Sequence, residues 1–215
     1  MSKKERIRLL IGAAINLAIF AIEIYCLIVF IKYIQNGNQD IRFRYYTNIS
    51  NLTVGFIALP NAFFLIYSVI KGKFIYPKVL SIIKFAGISM VALTFFTVIF
   101  ILVPITSFEE MYKDLILITH LIAPLMAFAS YYFFEEKDQF KWKLSFLAII
   151  PTVIYAIVYV TNVVYIGTWP DLYQVNRNGL WFLFVLIEVL FGLGIIQGLY
   201  FLKKLANKLS FVASD

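Results

Sequence analysis

A hydroxyl, a carboxamide and a single imidazole stand out among apolar neighbours as the groups best suited to chemistry. Thr47, Asn51 and Gly55 recur at i, i+4 and i+8 in the segment that opens Arg42-Phe43-Arg44-Tyr45-Tyr46-Thr47-Asn48-Ile49-Ser50-Asn51. On a helix they form one polar and small stripe facing the bundle interior. Histidine occurs once, at the start of His120-Leu121-Ile122-Ala123-Pro124. Pro124 has no N–H to give the His120 carbonyl, so the spacing predicts a kink there, with a local opening and a spare acceptor. An imidazole titrates near neutral pH and can take the proton of a hydroxyl that is otherwise a weak nucleophile. Plainer readings stand beside this one. Thr47 or Asn48 caps its helix while Asn51 joins two helices, and His120 simply hydrogen-bonds a neighbouring helix.

Other polar residues interrupt the apolar runs. Glu23 and Glu188 must be paired or protonated there. Either could orient His120 or line a cation path, or be a neutral carboxyl bonded to an adjacent helix. Arg42 and Arg44 precede the Thr47 stripe and suit a lipid phosphate or carboxylate, or anchorage to head groups. Gly167-Thr168-Trp169-Pro170-Asp171-Leu172-Tyr173 carries interfacial aromatics and reads as an anchor or a lid. Lys84 lies near the end of its apolar run, where it can snorkel to the interface, and is given no role. The small residues Ala123, Ala127 and Ser130 share one face and predict close helix contact. A lone Cys26 forms no internal disulfide and no multi-cysteine site, and nothing calls for a metal or other cofactor.

These groups need membrane helices to position them. Of 215 residues, 62% are hydrophobic and 14% are charged, against about 45–50% and about 25% in soluble domains. That excludes a water-soluble fold and predicts an all-α, polytopic membrane protein in one domain, 1–215. Six segments are long enough to cross roughly 30 Å of hydrocarbon: Leu9–Ile34, Tyr45–Ile70, Val79–Val103, Leu115–Phe134, Leu144–Val164 and Leu180–Phe201. The basic start resembles a signal peptide, but the long first run without a small-residue cleavage site reads as an uncleaved span. Short polar loops, such as Asn36-Gly37-Asn38-Gln39-Asp40 and Glu135-Glu136-Lys137-Asp138, predict an antiparallel bundle.

Lysines and arginines orient it. Thirteen lie on the side of the termini (Lys3, Lys4, Arg6, Arg8, Lys71, Lys73, Lys78, Lys137, Lys141, Lys143, Lys203, Lys204, Lys208) and five on the other (Lys32, Arg42, Arg44, Lys113, Arg177). The excess puts both termini in the cytoplasm and explains the net charge of +7 without nucleic acid. At about 1.5 Å per residue, Thr47 then lies ~3 Å, His120 ~8 Å, Glu188 ~12 Å and Glu23 ~16 Å below the outer boundary. Four helices thus bring polar groups to the outer leaflet, as a cavity there would require.

The chain resembles the androgen-induced protein family, six-helix membrane hydrolases related to the androgen-dependent TFPI-regulating protein, and their bacterial integral membrane relatives. The resemblance rests on Tyr45-Tyr46-Thr47 with Asn48 and Asn51, on His120 with Pro124, and on the turn Gly167, Trp169, Pro170 after the fifth span. It implies an intramembrane hydrolase of fatty acid esters, including those of hydroxy fatty acids, in the bacterial plasma membrane. Thr47 would be the nucleophile and His120 the base, with an acyl-threonine intermediate hydrolysed by water from the outer side. The His-to-Pro spacing is one residue shorter than in animal members, and Asn48-Ile49-Ser50-Asn51 has a bacterial look. From depth and chemistry, Asn51 is the oxyanion donor, Glu188 orients His120, and Arg44 and Trp169 contact substrate. Lipid is the expected partner. Two other classes fit six spans: the vitamin-binding subunit of an energy-coupling-factor transporter, with Ala14-x-x-x-Ala18 on a partner helix, and a non-catalytic scaffold.

Overall fold

The computed structural model describes residues 1–37, 42–135 and 140–212. The polar loop residues Asn38, Gln39 and Asp40, and Glu136, Lys137 and Asp138, lie outside them. So do the side chains of Arg42 and Lys208.

Each of the six apolar runs forms a helix long and hydrophobic enough to cross a membrane: α1 (Lys3–Gln35), α2 (Tyr46–Lys71), α3 (Lys78–Leu102), α4 (Asp114–Phe134), α5 (Trp142–Ile166) and α6 (Trp181–Asn207). Among the described residues there is no strand, and the chain is an all-α, multi-pass membrane protein. The first helix starts ahead of its apolar run because Ser2 and Glu5 form a capping box. Ser2 Oγ accepts the Glu5 N–H at 3.2 Å and the Glu5 carboxylate accepts the Ser2 N–H at 2.6 Å.

Hydrophobic packing is centred on α3, more than half of whose apolar window is buried. Phe85, Ile88, Val91 and Ala92 meet Ile19 of α1, Val54 and Ala58 of α2, Ala127 of α4 and Ile196 of α6. Large apolar side chains such as Phe56, Phe63, Phe100 and Ile187 point outward, where hydrocarbon, not water, is the solvent. The expected small face of α4 is buried at Ala123, Ala127 and Ser130. The chain's first amine donates to the Gly72 carbonyl at 3.1 Å, and Lys203 of α6 reaches the Tyr131 and Glu135 carbonyls at the end of α4. The start, the α2–α3 loop, the end of α4 and the end of α6 therefore share one side, the side rich in Lys and Arg.

Helix α1 packs tightly against α2 at Gly55. A Cβ there would stand 2.5 Å from Glu23 Cβ and 2.7 Å from its Cγ, so only hydrogen fits without displacing α1. Gly55→Ala is expected to lower stability by about 1–3 kcal/mol through overpacking, read as thermal unfolding in detergent. Glu23→Gly in the same chain removes both Cβ and Cγ and should recover part of the loss.

Candidate active site

Helix α2 begins with Tyr45 at its N-cap, and Tyr45 makes no side-chain cap bond. Thr47 is thus inside the first turn and does not cap it. Its carbonyl accepts Ser50 Oγ and Asn51 Nδ2, each at 2.9 Å, while its half-buried hydroxyl enters no hydrogen bond among the described residues. Ser50 is held in turn by Thr94 Oγ1 at 3.0 Å, which fixes α2 against α3.

Across the interface, α4 adopts a π-helical turn over Ile118–Ile122, with His120 at its middle and Pro124 in the first turn of the α-helix that follows. A proline tolerates that place because a first-turn N–H has no partner in the helix. The kink predicted from Pro124 is therefore met by a wider turn presenting His120. The imidazole is half-buried, and its Nδ1 lies 3.1 Å from the Met111 carbonyl. A carbonyl only accepts, so in the neutral ring Nδ1 carries the proton and Nε2 keeps the lone pair.

Asn51 joins the two elements, because Nδ2 donates to the Thr47 carbonyl and, at 2.8 Å, to the Thr119 carbonyl. A carboxamide nitrogen carries two N–H groups, and both are engaged. Asn51 as placed is a strut between α2 and α4, which leaves it no hydrogen for the expected oxyanion role. It sets Thr47 level with the residue that precedes His120. One turn further in, the Thr47–Asn51–Gly55 stripe ends against Glu23, which is 3% exposed and whose Oε1 has no hydrogen-bond partner among the described residues.

The remaining expected site residues gather elsewhere on the side opposite the termini. The Arg44 guanidinium stacks over Trp169, 5.6 Å from the ring, at the loop that follows α5. That loop begins where Gly167, at φ +73, ends the helix in a conformation that favours glycine. Glu188 lies within electrostatic range of the phenols of Tyr46, Tyr155 and Tyr173, whereas His120 is bonded to Met111. Depth alone groups Glu188 with His120. No hydrogen bond joins Glu188 to His120 among the described residues. Burial pushes the Tyr173 phenol up to about 12, with Glu188 adding to the effect, so at neutral pH Tyr173 acts as an uncharged hydrogen-bonding group.

A second polar cluster lies on the basic side. Lys84 is 1% exposed and does not snorkel. Its Nζ donates to Asn16 Oδ1 at 2.6 Å and stands 3.5 Å from Glu135 Oε1. The same carboxylate oxygen accepts Ser130 Oγ at 2.7 Å, Asn61 Nδ2 at 2.8 Å and Asn16 Nδ2 at 3.2 Å. Tyr76 closes the set by donating to Asn61 Oδ1. Lys84 cannot snorkel because α3 is surrounded by other helices, so a neutralising partner must come to it. Of this set, Lys84 stands out in the sequence as a polar interruption of an apolar run, whereas Glu135 is hidden in the charged stretch Glu135-Glu136-Lys137-Asp138.

Burial alone would raise the Glu135 carboxyl, but the Lys84 ammonium and the hydrogen bonds from Ser130 and Asn16 outweigh it and hold it below the ordinary range. A depressed folded-state value contributes stability that is complete above the unfolded value of about 4.3 and is lost as pH falls through the folded value. Thermal stability in detergent is therefore expected to drop on acidification below about pH 4.3, and Glu135→Gln should remove that acid-dependent component.

Comparison with protein-family models, curated proteins and solved structures finds no match to this chain.

Proposed function

We propose that this protein is an intramembrane lipid ester hydrolase with Thr47 as nucleophile and His120 as general base. The observation that supports the reading is the Asn51 strut, which ties the Thr47 carbonyl to that of Thr119, the residue before His120; the Thr47 hydroxyl enters no hydrogen bond among the described residues, and His120 Nδ1 is engaged by Met111. Nε2 is then the basic nitrogen. It takes the Thr47 proton as Oγ1 attacks the ester carbonyl, and returns it to the alcohol as the C–O bond breaks. Water attacks the acyl-threonine in the same way, with His120 carrying the proton back to Thr47 Oγ1 as the fatty acid leaves.

The oxyanion falls near the N-terminus of α2, where the Thr47 N–H has no acceptor within the helix and the helix dipole is positive. Arg44 and Trp169 form a cationic and aromatic rim suited to the polar part of a fatty acid ester. The substrate class, and the bacterial plasma membrane as its location, follow from the resemblance noted above. The test is hydrolysis of a long-chain fluorogenic ester by purified protein in detergent or vesicles. Turnover that persists unchanged in the Thr47→Ala and His120→Ala variants overturns the proposal, as does a wild type with no turnover.

A further inference from the structure

The helix that carries Thr47 does not cap itself, since Tyr45 offers no side-chain acceptor. The N–H of Tyr46 is met from across the bundle by the phenol oxygen of Tyr173, 2.9 Å away. Two residues before Tyr46, the Arg44 carbonyl accepts the Tyr155 hydroxyl at 2.7 Å, and the Tyr46 phenol pairs with Thr152 Oγ1 at 2.7 Å. Helix α5 and its following loop therefore grip residues 44–46, which run directly into Thr47.

The grip is anchored in a loop that is itself braced. The Asp171 carboxylate accepts the N–H groups of Val175 at 2.8 Å and Asn176 at 2.9 Å, together with the Tyr159 hydroxyl at 3.4 Å. The Tyr159 oxygen in turn accepts the Tyr173 N–H at 3.2 Å, and the Tyr159 and Tyr173 rings pack 5.2 Å apart. Tyr173 is thus held by its own backbone N–H and by its ring neighbour Tyr159 before its phenol reaches α2.

We infer that Tyr173 is a positioning residue for the Thr47 nucleophile, supplying from the α5–α6 loop the helix cap that α2 lacks. By taking up the Tyr46 N–H, it leaves the next N–H, that of Thr47, as the first-turn donor beside the nucleophile. The loop is then part of the catalytic framework, and a displacement of the loop is transmitted to Thr47 through one hydrogen bond. This inference rests on the assignment of Thr47 proposed above.

Tyr173→Phe tests it, because the ring and its packing stay and only the oxygen goes. Amide hydrogen exchange over residues 46–48 should accelerate roughly tenfold, as expected for one lost hydrogen bond. In the same variant kcat for ester hydrolysis should fall about 10- to 100-fold with KM within about twofold, because misplacement of a nucleophile affects the chemical step more than binding. Tyr155→Phe should act in the same direction and serves as the test if Tyr173→Phe does not fold. Tyr76→Phe, on the basic side, should leave the exchange at 46–48 unchanged. Unaltered exchange in the Tyr173 and Tyr155 variants overturns the inference, as does faster exchange with unchanged Thr47-dependent kcat. If wild-type turnover does not depend on Thr47, the hydrolase assignment falls. Faster exchange then identifies Tyr173 as a structural cap alone, and the positioning role falls with the hydrolase.

Discussion

Replacing Thr47 with alanine is expected to reduce long-chain ester hydrolysis by about 10⁴-fold or more, the scale seen when the nucleophile of an acyl-transfer unit is removed. His120→Ala should give a loss of similar size, because hydroxyl and imidazole act as one unit and either deletion disables it. The double variant should therefore be scarcely worse than either single one, and that non-additivity is the signature to measure. The Thr47 side chain is half-buried and without a hydrogen bond among the described residues, so its truncation should change the unfolding midpoint little. Thr47→Ser keeps the hydroxyl and should retain measurable turnover. A covalent probe for activated hydroxyls gives a second reading, with label on Thr47 in the wild type and none in Thr47→Ala. Label on another residue would defeat the assignment even if hydrolysis were seen.

Sequence and structure agree where the physics is one-dimensional. Hydrocarbon thickness sets helix length, and all six spans are found from apolar run length, their ends shifted by caps such as Ser2 with Glu5. Depth along a helix follows from 1.5 Å per residue, so the pairing of α2 and α4 at the level of Thr47 and His120 was legible. So was the opening at Pro124, although its realisation as a π-helical turn over 118–122 was not. What depth cannot supply is azimuth, the direction a residue faces around its helix. Glu188 has a depth close to that of His120 but makes no hydrogen bond to it among the described residues, and it lies within electrostatic range of Tyr46, Tyr155 and Tyr173. Asn51 lies on the predicted stripe, yet its role depends on which carbonyls surround it. Lys84 was read from the end of its own span, while its fate was decided by the helices packed around α3. The partners Met111, at the end of a single helical turn over Phe108–Met111, and Tyr173, in the α5–α6 loop, lie in connections whose sequences carry no periodic signal, and only the fold brings them to His120 and Tyr46.

The strongest effect on stability is expected at the basic end of the bundle. Removing one member of a buried ion pair leaves its partner charged and uncompensated, at a cost of about 3–5 kcal/mol. Lys84→Met should have that effect on unfolding in detergent, and Glu135→Leu should have more than the pair alone would suggest. Its carboxylate also receives Asn16, Asn61 and Ser130 and so joins α1, α2, α3 and the end of α4. Replacing both charges is a different experiment, since no uncompensated ion remains and an apolar pair of similar volume can be nearly neutral. The Lys84→Met/Glu135→Leu chain should therefore be more stable than either single variant, with a coupling of roughly 1–3 kcal/mol for residues in direct contact. Additive losses would mean that each side chain acts through its hydrogen bonds to Asn16, Asn61 and Ser130 and not through the other's charge. Ester hydrolysis separates this cluster from the site across the membrane. With the fold intact, the double variant should keep its turnover, because no hydrogen bond of the Lys84–Glu135 set reaches Thr47, Asn51 or His120 among the described residues.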